Sequence, residues 1–224
     1  MSSFKKLTYY NDNQRSGEMF KKYIEDTLAK SPEHPRIAIE FGGQGSQLFS
    51  GFSKGFFKET IGVCLDDART IDEKEKDKEV SHSVIAGDVM DTSNDSLYKN
   101  IYSQLGAEKV DLIISRMMGP LRYINKNPVI LNRIINQWYS MLDENGLMFA
   151  QFVYFKEHNH NHNHGYDDRE DYPIFSTITE DYVTEWVNNV KDIFPNEIEI
   201  QVGKGVLRLH KKEGAPEMLP PFMK

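Results

Sequence analysis

Short β-prone runs alternate with helical stretches along most of this chain, and that order admits few folds. Arg36-Ile37-Ala38-Ile39-Glu40-Phe41 is the first run, and it breaks into Gly42-Gly43-Gln44-Gly45-Ser46. Ile61-Gly62-Val63-Cys64-Leu65 is the second and ends at Asp66-Asp67, while Ser83-Val84-Ile85-Ala86 ends at Gly87-Asp88. Val110-Asp111-Leu112-Ile113-Ile114-Ser115 and residues 147–155 supply two more. Apolar runs of this length suit strands buried on both faces. The last pair differs in kind. Residues 197–202 alternate, Gly203-Lys204-Gly205 turns, and residues 206–210 alternate back, which is a hairpin pattern.

Helical spacing fills the intervals. Phe20, Tyr23, Ile24, Thr27 and Leu28 predict a helix over residues 16–29, stopped by Pro32 and Pro35. Leu97, Tyr98, Ile101, Tyr102 and Leu105 mark a second. Asn127-Pro128 offers a cap and a first-turn proline, and Leu131, Ile134, Ile135, Trp138 and Leu142 then share a face until Asn145-Gly146. Tyr182, Val183, Trp186, Val187, Val190 and Phe194 form the last, with Thr177 and Glu180 spaced as a capping box. The charged residues 72–79 are a solvated helix face or a loop.

Five strands separated by helices and closed by a hairpin imply an α/β fold, a doubly wound and mostly parallel seven-stranded sheet with one antiparallel strand. A chain of 224 residues suits one such domain. The expected organisation is an N-terminal helical cap over 1–35, the sheet domain over 36–212 with a His/Asn-rich insertion at 155–175, and an extended tail over 213–224. The tail, with Pro216, Pro220 and Pro221, packs on the domain or contacts another subunit.

Charge and composition narrow the partners. Lys and Arg total 27 against 34 Asp and Glu, and a net charge of −7 weighs against indiscriminate binding to a phosphate backbone. The most apolar stretch, residues 146–155, is too short for a bilayer span, the N-terminus leads into polar residues instead of an apolar signal core, and Cys64 is the lone cysteine. A cytoplasmic protein with no membrane partner is expected.

Doubly wound sheets bind ligands at the carboxyl ends of their strands, near the switch point. The glycine cluster, Asp66-Asp67, Gly87-Asp88 and Ser115-Arg116 all fall at such ends. Glycines there let backbone pass close to a ligand, and the N-terminus of a following helix suits a carboxylate. Glu40, just before the glycines, would repel a pyrophosphate but can help hold an ammonium group. Asp66 can accept bonds from ribose hydroxyls. Asp88 can accept from an adenine amino group while Val89 packs against the ring. Together these residues suit a nucleoside carrying an amino-acid tail.

The segments Ile37-Ala38-Ile39-Glu40-Phe41-Gly42-Gly43-Gln44-Gly45, Val63-Cys64-Leu65-Asp66, Ile85-Ala86-Gly87-Asp88-Val89 and Asp111-Leu112-Ile113-Ile114-Ser115, in that order, resemble the motifs of the class I, Rossmann-like S-adenosylmethionine-dependent methyltransferases. The terminal hairpin is similar to that family's sixth and seventh strands. The resemblance covers roughly Arg36 to Lys211. It implies that S-adenosyl-L-methionine is the cofactor, leaving as S-adenosyl-L-homocysteine; the negative net charge and a missing base-amine signature favour a small-molecule or protein acceptor over nucleic acid. It further implies that Gly42, Gly43 and Gly45 hold the methionine portion, Asp66 the ribose and Asp88 the adenine, with Glu40, Gln44, Asp67, Val89, Ser115 and Arg116 completing the cofactor site. Two features depart from the family pattern. Gln44 stands where a second glycine is usual and Ser46 where a third is, and Ser115-Arg116-Met117-Met118-Gly119-Pro120 lacks the Asn/Asp-Pro-Pro-aromatic signature of enzymes that methylate base amines.

Substrate-facing candidates are Tyr9 and Tyr10 before the first helix, Met117 and Met118 after the fourth strand, and Tyr154. No catalytic residue is assigned. His158, His160, His162 and His164 alternate with asparagine and read as a low-complexity insertion in preference to a metal site. With residues 166–172 it could form a substrate lid. Three other readings stay open. One is a cofactor-binding or regulatory protein without turnover. A second is a nicotinamide-dependent enzyme, which shares the glycines and the second-strand acid. A third, remote one is an acyltransferase acting on acyl carrier protein, which Gly43-Gln44-Gly45-Ser46-Gln47 resembles over that stretch alone, without a Gly-His-Ser-x-Gly nucleophile elbow.

Overall fold

The computed structural model describes residues 16–31, 34–89, 96–106, 108–115, 128–151, 180–203 and 206–222. Its elements run in the order α1 (Ser16–Leu28), β1 (Ile37–Phe41), a 3-10 turn (Ser46–Gly51), β2 (Glu59–Cys64), α2 (Ile71–Glu79), β3 (His82–Ala86), α3 (Ser96–Leu105), β4 (Val110–Ser115), α4 (Pro128–Met141), β5 (Leu142–Gln151), α5 (Glu180–Ile193), β6 (Ile198–Gly203) and β7 (Val206–Lys211). The seven strands form one sheet ordered β3-β2-β1-β4-β5-β7-β6. Every neighbouring pair is parallel except those that involve β7, so β7 is the single reversed strand. The alternation of runs and helices had implied this sheet.

Side-chain alternation on β1 shows how the sheet divides its two faces. Ile37, Ile39 and Phe41 point into a large core with α3, α4 and α5, whereas Ala38 points into a smaller one with α1 and the 3-10 turn. In the large core Trp138 is fully buried and its ring stacks on Phe41 at 4.5 Å between centroids. The C-terminal tail closes this face. Asn136 Oδ1 accepts the Leu219 N–H at 2.7 Å, Asn132 Oδ1 accepts the Phe222 N–H at 3.2 Å, and the Phe222 ring stacks on Trp186 at 4.0 Å. Of the two roles open for the tail, packing on its own domain is the one observed.

The smaller core relies on aromatic residues clustered around a short turn. Phe49, Phe52, Phe56 and Phe57 contact one another edge-on or stacked, and Phe20 meets Phe149 edge-on at 4.7 Å. These phenylalanines and the adjoining serines surround an open cavity of about 600 Å³.

Three local readings are corrected or resolved. The glycine cluster leads into a six-residue 3-10 turn in place of an α-helix; it ends at Gly51, and Gly55 in the left-handed region (φ +74°) keeps the helix from resuming. The helix expected to run to Asn145-Gly146 stops at Met141: Leu142 pairs with Val110, and the register then shifts so that Leu147 pairs with Leu112. Burying Leu142 at the sheet and placing Asn145 in the left-handed region (φ +66°) favours this early exit. The charged stretch 72–79, left open between helix and loop, lies in helix α2, held at its start by a capping box between Thr70 and Glu73. The expected Thr177 cap lies outside the described residues. Among the described residues no helix is long and apolar enough to cross a membrane.

Candidate functional site

The switch point of this sheet lies between β1 and β4, where the chain leaves neighbouring strands in opposite directions. At the carboxyl end of β1 the side chain of Glu40 is fully buried. Its carboxyl group lies directly beneath the glycine loop: a Cβ on Gly43 would run into Glu40 Cδ and both carboxylate oxygens, so any larger residue would have to displace that carboxyl group. Gly42 has φ +89° and donates its N–H to the Val63 carbonyl at 2.8 Å, turning the chain off β1 while keeping it tied to β2. Gly62 on β2 completes the fit, because a Cβ there would stand 2.8 Å from the Gly43 carbonyl oxygen. A glycine inside a strand marks such a close backbone approach.

The loop is also held from its outer side. Gln44 Oε1 accepts the Ala68 N–H at 2.9 Å, and Asp77 Oδ1 accepts the Ser46 N–H at 3.2 Å. Behind them, Arg69 bridges two carboxylates, donating to Asp77 Oδ2 at 2.8 Å and to both oxygens of Asp67 at 2.8 and 3.0 Å. Burial tends to raise the Asp77 carboxyl, but hydrogen bonds from Ser46 and Arg69 outweigh it and hold it below its ordinary value. The Arg69 guanidinium likewise holds Asp67 far below the usual carboxylate range. His82 lies under the same loop with Nδ1 at 2.8 Å from Thr60 Oγ1, and burial pushes its pKa down. Gln44, Ser46, Arg69, Lys76 and Asp77 line a cleft of about 560 Å³ beside the loop.

The other candidates sit where the strand ends put them. Asp66 is exposed just past β2, and among the described residues its carboxylate makes no hydrogen bond or ion pair. Asp67 is different, since both its oxygens are engaged by Arg69 and one also by Lys74 at 3.3 Å. That engagement gives Asp67 an ionic role in anchoring the turn, which sequence reading had not separated from a ligand role. Asp88 is exposed just past β3, with Val89 buried beside it. Gly87 ties this end to β2 by donating its N–H to the Cys64 carbonyl at 2.9 Å. Ser115 is fully buried at the end of β4, in register with Phe41. Burial pushes the Cys64 thiol up, consistent with an inert thiol.

Thus Glu40, Gly42, Gly43, Gln44, Gly45, Asp66, Asp88, Val89 and Ser115 all lie along one edge of the sheet. Tyr9, Tyr10, Arg116, Met117, Met118, Tyr154 and the His/Asn-rich insertion lie outside the described residues. Sequence reasoning missed Gly62, Arg69, Asp77 and His82. Only Gly62 carried a readable signal, as a glycine inside an apolar strand. The other three matter through contacts with residues 20 or more positions away or through a shared partner, which no spacing rule exposes.

No protein-family model matches the chain, and no curated protein sequence matches it significantly. Solved structures do resemble it. A sugar N-methyltransferase from a Streptoalloteichus species aligns with a TM-score of 0.51 at 14% identity, over 88% of this chain and 86% of that one. An N-methyltransferase from Bradyrhizobium japonicum aligns with a TM-score of 0.46 at 13% identity, over 90% of this chain and 99% of the other. An O-methyltransferase family protein from Burkholderia thailandensis aligns with a TM-score of 0.48 at 9% identity over 90% of this chain, which spans 57% of that longer protein. With the strand order and the reversed β7, the Streptoalloteichus likeness identifies the architecture of this chain as the class I, Rossmann-like methyltransferase fold.

Proposed function

We propose that this protein binds S-adenosyl-L-methionine along the carboxyl edge of β1, β2 and β3 and transfers its methyl group to a small-molecule or protein acceptor. The observation that carries this reading is the buried Glu40 carboxyl group packed directly against Gly43 of the loop, where a side chain would displace it. A carboxylate so close to the loop disfavours a pyrophosphate, as a dinucleotide would bring, and suits the ammonium end of an amino-acid tail. Asp66 is the acid free to accept from ribose hydroxyls, since Asp67 is committed to Arg69. Asp88 would read the exocyclic amine of adenine, and Val89 would supply apolar surface to the ring.

When bound, S-adenosylmethionine supplies a sulfonium-activated methyl group that can pass in line to a nucleophilic atom. The chain's contribution is to hold and orient the two ends of that molecule, and positioning supplies most of the rate in such a displacement. A general base is needed only where the acceptor atom carries a proton whose removal makes it nucleophilic.

Calorimetric titration with S-adenosylmethionine and S-adenosylhomocysteine tests the reading. Micromolar binding is expected, weakened about tenfold or more in Asp66→Ala, because a hydrogen bond to a charged group contributes about 1.5 to 3 kcal/mol. Asp88→Ala should weaken it less, and NAD should bind poorly to all three proteins. No binding of either sulfur nucleoside by folded wild-type protein overturns the proposal. Binding without production of S-adenosylhomocysteine across an acceptor panel would favour the non-catalytic role.

A further inference from the structure

The residue that most breaks the family's glycine pattern is Gln44, and in the structure its side chain leaves the ligand edge and crosses to the next loop. Its Oε1 accepts the Ala68 N–H at 2.9 Å, an N–H that also lies 3.1 Å from the Asp66 carbonyl oxygen. Ala68 belongs to the turn that carries Asp66, so one side chain joins the loop after β1 to the loop after β2. Two residues on, Ser46 donates its N–H to Asp77 on α2, and Asp77 is held by Arg69, which is held by Asp67 in that same turn. The two loops are therefore connected twice, once directly and once through an ion pair whose guanidinium is only 10% exposed.

The 3-10 turn has six residues and lacks the i→i−4 ladder of an α-helix, so the loop takes its bracing sideways from the loop after β2 and from α2. We propose that Gln44 is a positioning residue: its bond to Ala68 sets the distance between the loop that receives the amino-acid end of the cofactor and the turn that presents Asp66 to the ribose. This assignment rests on the cofactor reading above. A ligand that spans both loops gains from their fixed separation, because the second end then binds without a further ordering cost. A ligand that touches one loop gains nothing.

Gln44→Met keeps the length of the side chain and removes the acceptor, whereas Gln44→Glu keeps an acceptor for the Ala68 N–H. The measurement is calorimetric affinity for S-adenosylhomocysteine, which spans both loops, and for adenosine, which reaches only the Asp66 side, in wild type and both variants. Thermal unfolding is measured alongside. Gln44→Met is expected to weaken S-adenosylhomocysteine about fivefold and to leave adenosine within about twofold, as loss of one neutral hydrogen bond would. Gln44→Glu is expected to stay nearer wild type than Gln44→Met. Equal weakening of both ligands in Gln44→Met overturns the proposal, since the bond would then merely shape the Asp66 turn. Wild-type affinity for both ligands in Gln44→Met overturns it as well. Wild-type protein that binds no S-adenosylhomocysteine overturns the cofactor reading itself, an outcome visible before either variant is made.

Discussion

The two faces of the sheet are built by different means. On one, α3, α4 and α5 present continuous apolar stripes, and Trp138, Tyr139, Trp186 and the tail residues Leu219 and Phe222 close a single large core. On the other, α1 and a 3-10 turn cover the central strands, and helix α2 is held by its cap and by the Asp67–Arg69–Asp77 bridge far more than by burial. The first face is packed for stability. The second leaves a cavity of about 600 Å³ among its phenylalanines and a cleft of about 560 Å³ beside the glycine loop. The less densely packed face braces its glycine loop with polar bonds in place of apolar contacts.

Truncating one aromatic residue on each face should expose the contrast. Trp138→Ala removes a fully buried ring stacked on Phe41 and is expected to cost about 4 to 5 kcal/mol in urea unfolding. Phe49→Ala, beside the existing cavity, should cost only about 2 to 3 kcal/mol, because fewer surrounding atoms lose a packed neighbour. Equal costs would mean that the second face is as tightly packed as the first.

A smaller effect sharpens the view of α2. Thr70→Ala removes the side chain that accepts the Glu73 N–H in the capping box and should lower stability by about 1 kcal/mol. Because Asp77 projects from this helix to the Ser46 N–H, the same variant is expected to speed amide exchange at Ser46 while leaving α4 unchanged. Unchanged exchange at Ser46 would show that the loop is braced independently of the helix cap.

The smallest expected effect depends on pH. His82 packs against Phe49 and Thr60 and faces Asp77 and Arg69, and burial lowers its folded pKa below its ordinary value of 6.5. With the folded pKa depressed, its neutral form's contribution to stability is full above the unfolded value and is lost as pH falls through the folded one. Acidification from pH 7.5 toward 5 should thus destabilise wild type more than His82→Asn. Parallel pH profiles for the two proteins would remove His82 from that account.

Much of the fold was legible because it follows from periodicity. Leu131, Ile134, Ile135 and Trp138 repeat at helical spacing and are all fully buried on one side of α4, while β6 and β7 pair as their alternation demands, Ile200 with Leu209 and Val202 with Leu207. The carboxyl-edge positions of Glu40, Asp66 and Asp88 were legible for the same reason, since each terminates or follows an apolar run. Gln44 illustrates what was not. Its identity breaks a glycine pattern, yet its side chain faces the neighbouring turn and takes the Ala68 N–H.

Local sequence determined the number and order of strands, the helices with apolar stripes and the edge of the sheet on which the acidic residues gather, because each depends on neighbours a few positions away. Tertiary structure alone decided that Gln44 takes the Ala68 N–H, that Asp77 takes the Ser46 N–H, and that Gly62, 19 residues beyond Gly43, must lack a side chain where that loop passes. Those outcomes depend on distances between separate strands and loops, and such distances exist only once the sheet has brought β1, β2 and β3 side by side.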